Sequence, residues 1–135
     1  MIKFILIIYF LTDEAYSKAY ICFEDSVTTT AFDTIIPVLS DSKIKKFTYD
    51  CKSLYSHCIK NNIQIDNIEF DILLAAYLLN PNSSEYPINI LSETYKTICE
   101  IDSDDIIIRD CAVMRELTRK LNEIICENES ADLLH

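Results

Sequence analysis

The amino-acid sequence predicts an α/β protein in which helices cover a mixed β-sheet. Three runs with the length and the apolar or β-branched content of strands come first, over residues 4–11, 18–24 and 27–31. A fourth such run, residues 44–48, lies between two helical patterns. Because three strands lead and a later strand alternates with helices, we expect a mixed sheet with helices packed on its faces.

The first run is predicted to be a central strand of the sheet. Residues 4–11 are apolar, rich in β-branched and aromatic side chains, and lead into Thr12-Asp13-Glu14. The run imitates the apolar part of a signal peptide, but its side chains favour a strand buried in the middle of a sheet. It is far too short to cross a membrane as a helix, so we expect no membrane contact.

Helical patterns account for most of the remaining chain. They predict helices over residues 32–40, 51–61, 71–79 and 87–95, followed by a long final helix over residues 104–127. Residues 61–66 are predicted to be a turn and a connector.

The predicted helix over residues 71–79 is the most apolar part of the chain. Asp71 can cap its first N–H groups, and Asn80-Pro81 cannot continue it. Its apolar residues run almost all the way round the helix, so we expect it to be buried between layers.

Length and composition favour one compact unit, residues 1–135. The chain has 135 residues, of which half are hydrophobic, and no linker or repeat divides it. It contains no glycine, which excludes Gly-rich phosphate loops and the dinucleotide fingerprint. The net charge of -10 argues against long-range attraction to nucleic acid.

The six cysteines lack the spacing of a metal site. No Cys-x-x-Cys pair occurs, and the chain has only two histidines, His57 and His135. We therefore expect no zinc site. Most of the cysteines lie in apolar segments, where a thiol behaves as a small buried hydrophobe.

The final helix carries an acid within its apolar stripe. Asp110 falls between Ile106 and Val113 on that stripe. A buried carboxylate is costly, so Asp110 should be hydrogen-bonded, line a cleft or bind a cation. The alternative is an acid at the edge of the stripe that reaches water near the helix N-terminus.

The segment from Lys43 to Tyr95 carries a recognisable series of motifs. A short strand ends in Asp50 and is followed by a helix that contains Lys52. The apolar helix spells FDILLAAYLLNP, and residues 86–95 then spell YPINILSETY. In this order and spacing, the series resembles the 3′–5′ exonuclease domain of bacterial DNA polymerase I.

The resemblance implies a fold, an activity and a setting. It implies a ribonuclease H-like mixed sheet with a long C-terminal helix, and 3′–5′ exonuclease chemistry on nucleic acid. It also implies a role in DNA replication and repair in the cytoplasm, with DNA and a polymerase domain of the parent protein as partners.

Members of that family use four carboxylates and two divalent cations, Mg²⁺ or Mn²⁺. Asp50 matches the third acid and Asp110 the fourth, while Ile106 stands in place of the tyrosine that positions the attacking water. The first strand supplies Asp13 at best, with Leu11 where its partner acid belongs. We therefore predict a degenerate site that retains Asp13, Asp50 and Asp110 as vestigial metal ligands, has little or no activity and requires no cofactor. Mg²⁺ or Mn²⁺ would matter only for residual nuclease activity.

A cluster of lysines surrounds Asp50 in the sequence. Its members are Lys43, Lys45, Lys46, Lys52 and Lys60. Taken alone, such a cluster is an ordinary solvated face. The resemblance favours a weak contact strip for a phosphate backbone, with Lys45, Lys46 and Lys52 as its contact residues.

Three hypotheses for function follow from these patterns. The first is a non-catalytic exonuclease-like domain of DNA polymerase I, a fragment or relic that serves as a scaffold beside the polymerase. The second is a working metal-dependent exonuclease on DNA or RNA that uses Asp13, Asp50 and Asp110. The third is an interaction protein that uses the same fold to bind another protein.

Overall fold

The computed structural model describes residues 6–23, 26–66, 68–97, 101 and 103–133. Its elements run in the order β1 (Leu6–Thr12), β2 (Lys18–Cys22), β3 (Val27–Ala31), α1 (Phe32–Leu39), β4 (Ile44–Thr48), α2 (Cys51–Lys60), β5 (Ile68–Asp71), α3 (Ile72–Leu79), α4 (Ile88–Thr94) and α5 (Ile106–Leu133). The predicted α/β class is therefore confirmed.

The sheet is mixed, with the strand order β3-β2-β1-β4-β5. β1 lies in the middle, where it pairs antiparallel with β2 and parallel with β4. Tyr9 of β1 is opposite Phe47 of β4, and their rings stack with centroids 4.6 Å apart. The apolar first run is thus a central strand, as the sequence predicts.

The fifth strand was not predicted. Residues 61–66 were expected to be a connector and the next element a helix, but Ile68–Asp71 pairs parallel with β4 at the edge of the sheet. Four residues are too few for period-2 alternation to stand out in a sequence. The strand is defined by its pairing with β4, which is a tertiary contact.

Alternating side chains of the strands build a core on each face of the sheet. Leu11 and Tyr20 face α3, α4 and α5, while Phe10 and Ala19 face α1 and α2. Neighbouring residues of a strand point to opposite faces, so one pair of strands supplies both layers. Helices cover both faces as predicted.

The apolar helix α3 is only partly buried, so the prediction of burial all round is wrong. Ile72, Ala75 and Ala76 face the core, whereas Leu74 is 53% exposed and Leu78 is 63% exposed. The small alanine face lets α3 approach α5 closely, which leaves the larger leucines outside. A uniformly apolar helix gives no amphipathic signal that would distinguish these faces.

The final helix begins two residues later than predicted and extends further, to Leu133. Its stripe is buried at Val113, Met114, Leu117 and Leu121. Ile106 was assigned to the stripe but is 64% exposed at the first turn. Among the helices of the described residues, none combines the length and apolar content that crossing a lipid bilayer requires.

Candidate functional site

A cleft of about 640 Å³ lies where β1 and β4 end. The two strands are parallel, so their carboxyl ends meet at one edge of the sheet, a common position for ligand sites in α/β folds. The cleft is lined by Leu11, Thr12, Asp13, Glu14, Tyr16, Thr48, Tyr49, Asp50, Ser53, Leu54, Pro87, Ile88, Ile107 and Asp110. The three acids selected from the sequence are therefore brought together.

Asp13 holds the turn that follows β1. Its carboxylate accepts hydrogen bonds from the Ser17 N–H at 2.8 Å, the Ser17 hydroxyl at 2.5 Å and the Lys18 N–H at 3.1 Å. The Ser17 hydroxyl bond is the main cause of the lowered pKa of Asp13. Both carboxylate oxygens thus have partners within the chain.

Asp50 follows β4 and caps α2. One carboxylate oxygen accepts the Ser53 N–H at 3.2 Å, and the other accepts the Ser53 hydroxyl at 2.7 Å. Asp50 has a left-handed backbone, with φ 62°, which is uncommon outside glycine and favoured among the other residues by Asp and Asn. In a chain without glycine, an aspartate makes the sharp turn from strand to helix.

Asp71 supports that turn from the neighbouring strand. Its carboxylate accepts the N–H groups of Asp50 at 2.8 Å, Cys51 at 3.1 Å and Leu73 at 3.0 Å. It therefore caps both α2 and α3, whereas the sequence indicated only α3. Burial and the adjacent Asp71 carboxylate also raise the pKa of the Cys51 thiol to about 12.

Asp110 lies on α5, four residues after Ile106, and lines the cleft. Burial raises the pKa of its carboxyl group, and the positive charge of Arg109 offsets part of that effect. Of the roles expected for this acid, lining a cleft is the one observed. Ile107 also lines the cleft, while Ile106, at the position assigned to the tyrosine, is largely exposed.

Two tyrosines line the cleft and were missed in the sequence. The Tyr49 hydroxyl donates to the Tyr86 carbonyl at 2.8 Å. Tyr16 has a left-handed backbone, with φ 56°, and its ring stacks on His57 with centroids 4.2 Å apart. Tyr49 follows β4 directly, so its position beside Asp50 was a usable signal. The turn that directs Tyr16 inward has no sequence signal that we recognise.

The lysine strip is smaller than predicted. Lys46 is 0% exposed, and its ammonium group donates to the Asp41 carbonyl at 2.8 Å and the Asp66 carbonyl at 3.5 Å. This burial removes Lys46 from the predicted contact residues, because alternation along β4 turns it inward. Lys45 is exposed and lies 3.9 Å from a Glu69 carboxylate oxygen, and Lys52 is exposed on α2.

A metal-ligand set is not evident around the cleft. Within the part of the chain that the structure describes, no three or more His, Cys, Asp or Glu residues are grouped so that they could hold a metal ion. The neighbouring acids are instead spaced around the cleft wall, and Asp13 and Asp50 each bind groups of their own loop or helix.

Comparisons with known proteins agree with this fold. The chain has the fold of a solved structure, described as the POL domain of Pol1 from M. smegmatis in complex with DNA primer-template and dNTP, with a TM-score of 0.70 and 18% identity. The match covers 94% of this chain but 25% of that one, so the chain spans about a quarter of the neighbour's length. A comparison with curated protein sequences gives no match.

The sequence itself matches a protein-family model over residues 6–108. That model describes the ribonuclease H-like domain of DNA polymerase I. The match includes β1, the Asp50 turn and the apolar helix, and it ends just before Asp110. Because it covers most of the chain, this protein belongs to the ribonuclease H-like domain family of DNA polymerase I.

Proposed function

We propose that the protein is an exonuclease-like domain that has lost its two-metal site and serves as a nucleic-acid-associated scaffold beside a polymerase domain. It would act in DNA replication and repair in the cytoplasm and would require no metal cofactor. Membership of the polymerase family supports the setting, and the chemistry of the cleft supports the loss of catalysis.

Leu11 is the observation that carries this proposal. It lines the cleft at the end of β1, where the family resemblance calls for a carboxylate, and it is 7% exposed. Two neighbouring dications repel each other and need hard oxygen ligands to hold them. An alkyl side chain supplies neither charge nor lone pairs, so the residues present do not fit a two-ion site.

The remaining acids are poorly suited to replace the missing ligand. Asp13 would have to give up its bonds to Ser17 and Lys18, and Asp50 its bonds to Ser53, before either could bind a cation with both oxygens. Breaking such charge-assisted bonds costs about 1.5–3 kcal/mol each. Metal binding at these acids would therefore oppose the local structure.

The scaffold role rests on the exposed face of α3. Leu74, Tyr77 and Leu78 are each more than half exposed on one short helix. An apolar face of this kind is typical of a protein contact. In the proposed setting, a polymerase domain covers it. The alternative of a stand-alone interaction module predicts copurification with another protein partner and no oligonucleotide binding at low salt.

A working exonuclease is the second candidate, because Asp13, Asp50 and Asp110 do line a single cleft. One assay distinguishes the two proposals. The chain is incubated with a 5′-labelled single strand of DNA or RNA and a titration of Mg²⁺ or Mn²⁺, and its melting temperature is followed in parallel.

We expect an uncut strand and a melting temperature that does not rise with either metal. Trimming from the 3′ end that is abolished by Asp110→Ala would overturn the scaffold proposal and establish the nuclease. Asp104→Ala is the matched control, since Asp104 is an exposed acid just before α5 that does not line the cleft.

A further inference from the structure

Two cysteines meet inside the core on the α5 side of the sheet. Cys22 is the last residue of β2, and Cys111 lies in the second turn of α5, which packs on that strand. Both thiols are free and belong to the same buried core cluster, and the Cys22 thiol donates to the Phe23 carbonyl at 3.3 Å. The Cys111 thiol also lies 3.4 Å from the Tyr20 carbonyl oxygen, which holds it over β2.

We propose that Cys22 and Cys111 form a redox modification site, at which a peroxide joins the two sulfur atoms in a disulfide that ties α5 to β2. The proposal stands on the position of both thiols on one face of β2, where the Cys111 sulfur lies over the Tyr20 carbonyl two residues before Cys22. A disulfide forms only between sulfur atoms that the backbone already brings together. It does not depend on nuclease activity or on DNA binding.

The reaction is balanced as two steps. The Cys22 thiolate attacks one peroxide oxygen, the O–O bond breaks, and the other oxygen leaves as water after taking a proton, which gives a sulfenic acid. The Cys111 sulfur then attacks the Cys22 sulfur, the S–O bond breaks, and hydroxide leaves and takes the Cys111 proton as a second water. Two thiols lose two electrons in total, and one peroxide gains them.

The surroundings favour Cys22 as the attacking residue. The adjacent Cys111 thiol lowers the pKa of Cys22, and the guanidinium of Arg115 adds to this effect, while burial offsets part of it. Cys22 is also nearer the surface, being 8% exposed at a strand end beside the exposed Phe23, while Cys111 is 0% exposed. Cys111 is thus placed as the resolving thiol.

The crosslink would restrain one wall of the cleft. Cys111 follows Asp110 directly, and Ile107 stands one turn earlier on the same helix. A bond from this turn to β2 would fix the helix that forms one wall of the cleft.

Peptide mapping of the intact chain tests the proposal. The folded protein is treated with hydrogen peroxide, its remaining thiols are alkylated, and it is digested with trypsin without reductant. Cys22 then lies in the peptide of residues 19–43 and Cys111 in that of residues 110–115. We expect these two peptides to be linked, with a combined mass lower by two hydrogens, and to separate on reduction. Oxidation should also raise the melting temperature by several degrees.

Variants identify the order of attack and supply the control. In Cys111→Ala, peroxide should leave a sulfenic acid at Cys22 that dimedone traps. Cys58→Ala should keep the crosslink, because Cys58 is a buried cysteine of the opposite core layer. The proposal is overturned if the two peptides stay unlinked at a peroxide concentration that oxidises the exposed Cys126. Linkage of Cys22 to a different cysteine would overturn it as well.

Discussion

Asp110 is a half-buried acid whose charge the cleft does not favour. Its pKa is raised by burial, so the folded chain binds the Asp110 proton more tightly than the unfolded chain does. The contribution of Asp110 to stability is therefore greatest below the ordinary carboxyl pKa of about 4, and it is lost as the pH rises through the folded-state pKa. At neutral pH the Asp110 charge weakens the fold.

Asp110→Asn removes this charge and keeps the shape of the side chain. We expect the melting temperature at pH 7 to rise by a few degrees and the gain over the natural chain to vanish near pH 3. Thermal unfolding across that pH range measures both effects, and Asp104→Asn, at an exposed acid, should change neither. A lower melting temperature for Asp110→Asn at pH 7 would mean that the carboxylate makes a stabilising contact.

At the scale of single residues, the sequence was informative where local chemistry decides the outcome. The Asp50 cap follows from an acid placed just before a helix, and it is observed. The fate of Lys46 depends on the carbonyl groups of Asp41 and Asp66, which only the fold brings within reach of its ammonium group. No pattern within the strand distinguishes this lysine from the exposed Lys45.

Two helices of the protein begin at one carboxylate. Asp71 ends β5 and accepts N–H groups from the first turns of α2 and α3, so a single side chain fixes the angle between the two helix starts. Parallel pairing of β4 with β5 brings it to this place. The sequence indicated that Asp71 caps α3. It did not indicate the bonds from α2, because these depend on the unpredicted strand β5.

Asp71→Ala should destabilise the fold more than the loss of an ordinary helix cap does. It leaves N–H groups of two helices without their acceptor, so we expect it to cost about 2–3 kcal/mol of unfolding free energy. Asp50→Ala removes a single cap and should cost about 1 kcal/mol. Chemical denaturation of both variants measures the difference. Equal costs for the two variants would show that the bonds from α2 to Asp71 contribute little.

At the scale of the whole molecule, the order of strands and helices other than β5 was predictable because hydrophobic patterning determines it. The central position of β1 follows from a run with no polar residue between Phe4 and Leu11. The cleft was predictable only in part. Asp110 was found from its place on an apolar stripe, and Asp13 and Asp50 through a family resemblance. The hydrogen bonds of Asp13 to Ser17 and of Asp50 to Ser53 depend on turns that the sequence does not specify.

The charge of the whole chain limits how it can hold nucleic acid. With a net charge of -10, binding depends on a few local cations, and burial has removed Lys46 from them. If Lys45 and Lys52 contact two phosphates of a single strand, affinity should fall only about sevenfold between about 50 and 200 mM salt. Fluorescence anisotropy with a labelled oligonucleotide measures this slope.

Substitutions in the three lysines distinguish the residues that contact nucleic acid from the one that stabilises the fold. Lys45→Gln and Lys52→Gln should each weaken binding and reduce the salt dependence by about one phosphate contact, while the melting temperature stays the same. Lys46→Gln should lower the melting temperature and leave binding unchanged, because it breaks bonds to the Asp41 and Asp66 carbonyl groups without changing the surface charge that DNA meets. If Lys46→Gln weakened binding as much as Lys52→Gln while the melting temperature held, the ammonium group of Lys46 would have to leave its pocket to reach the strand.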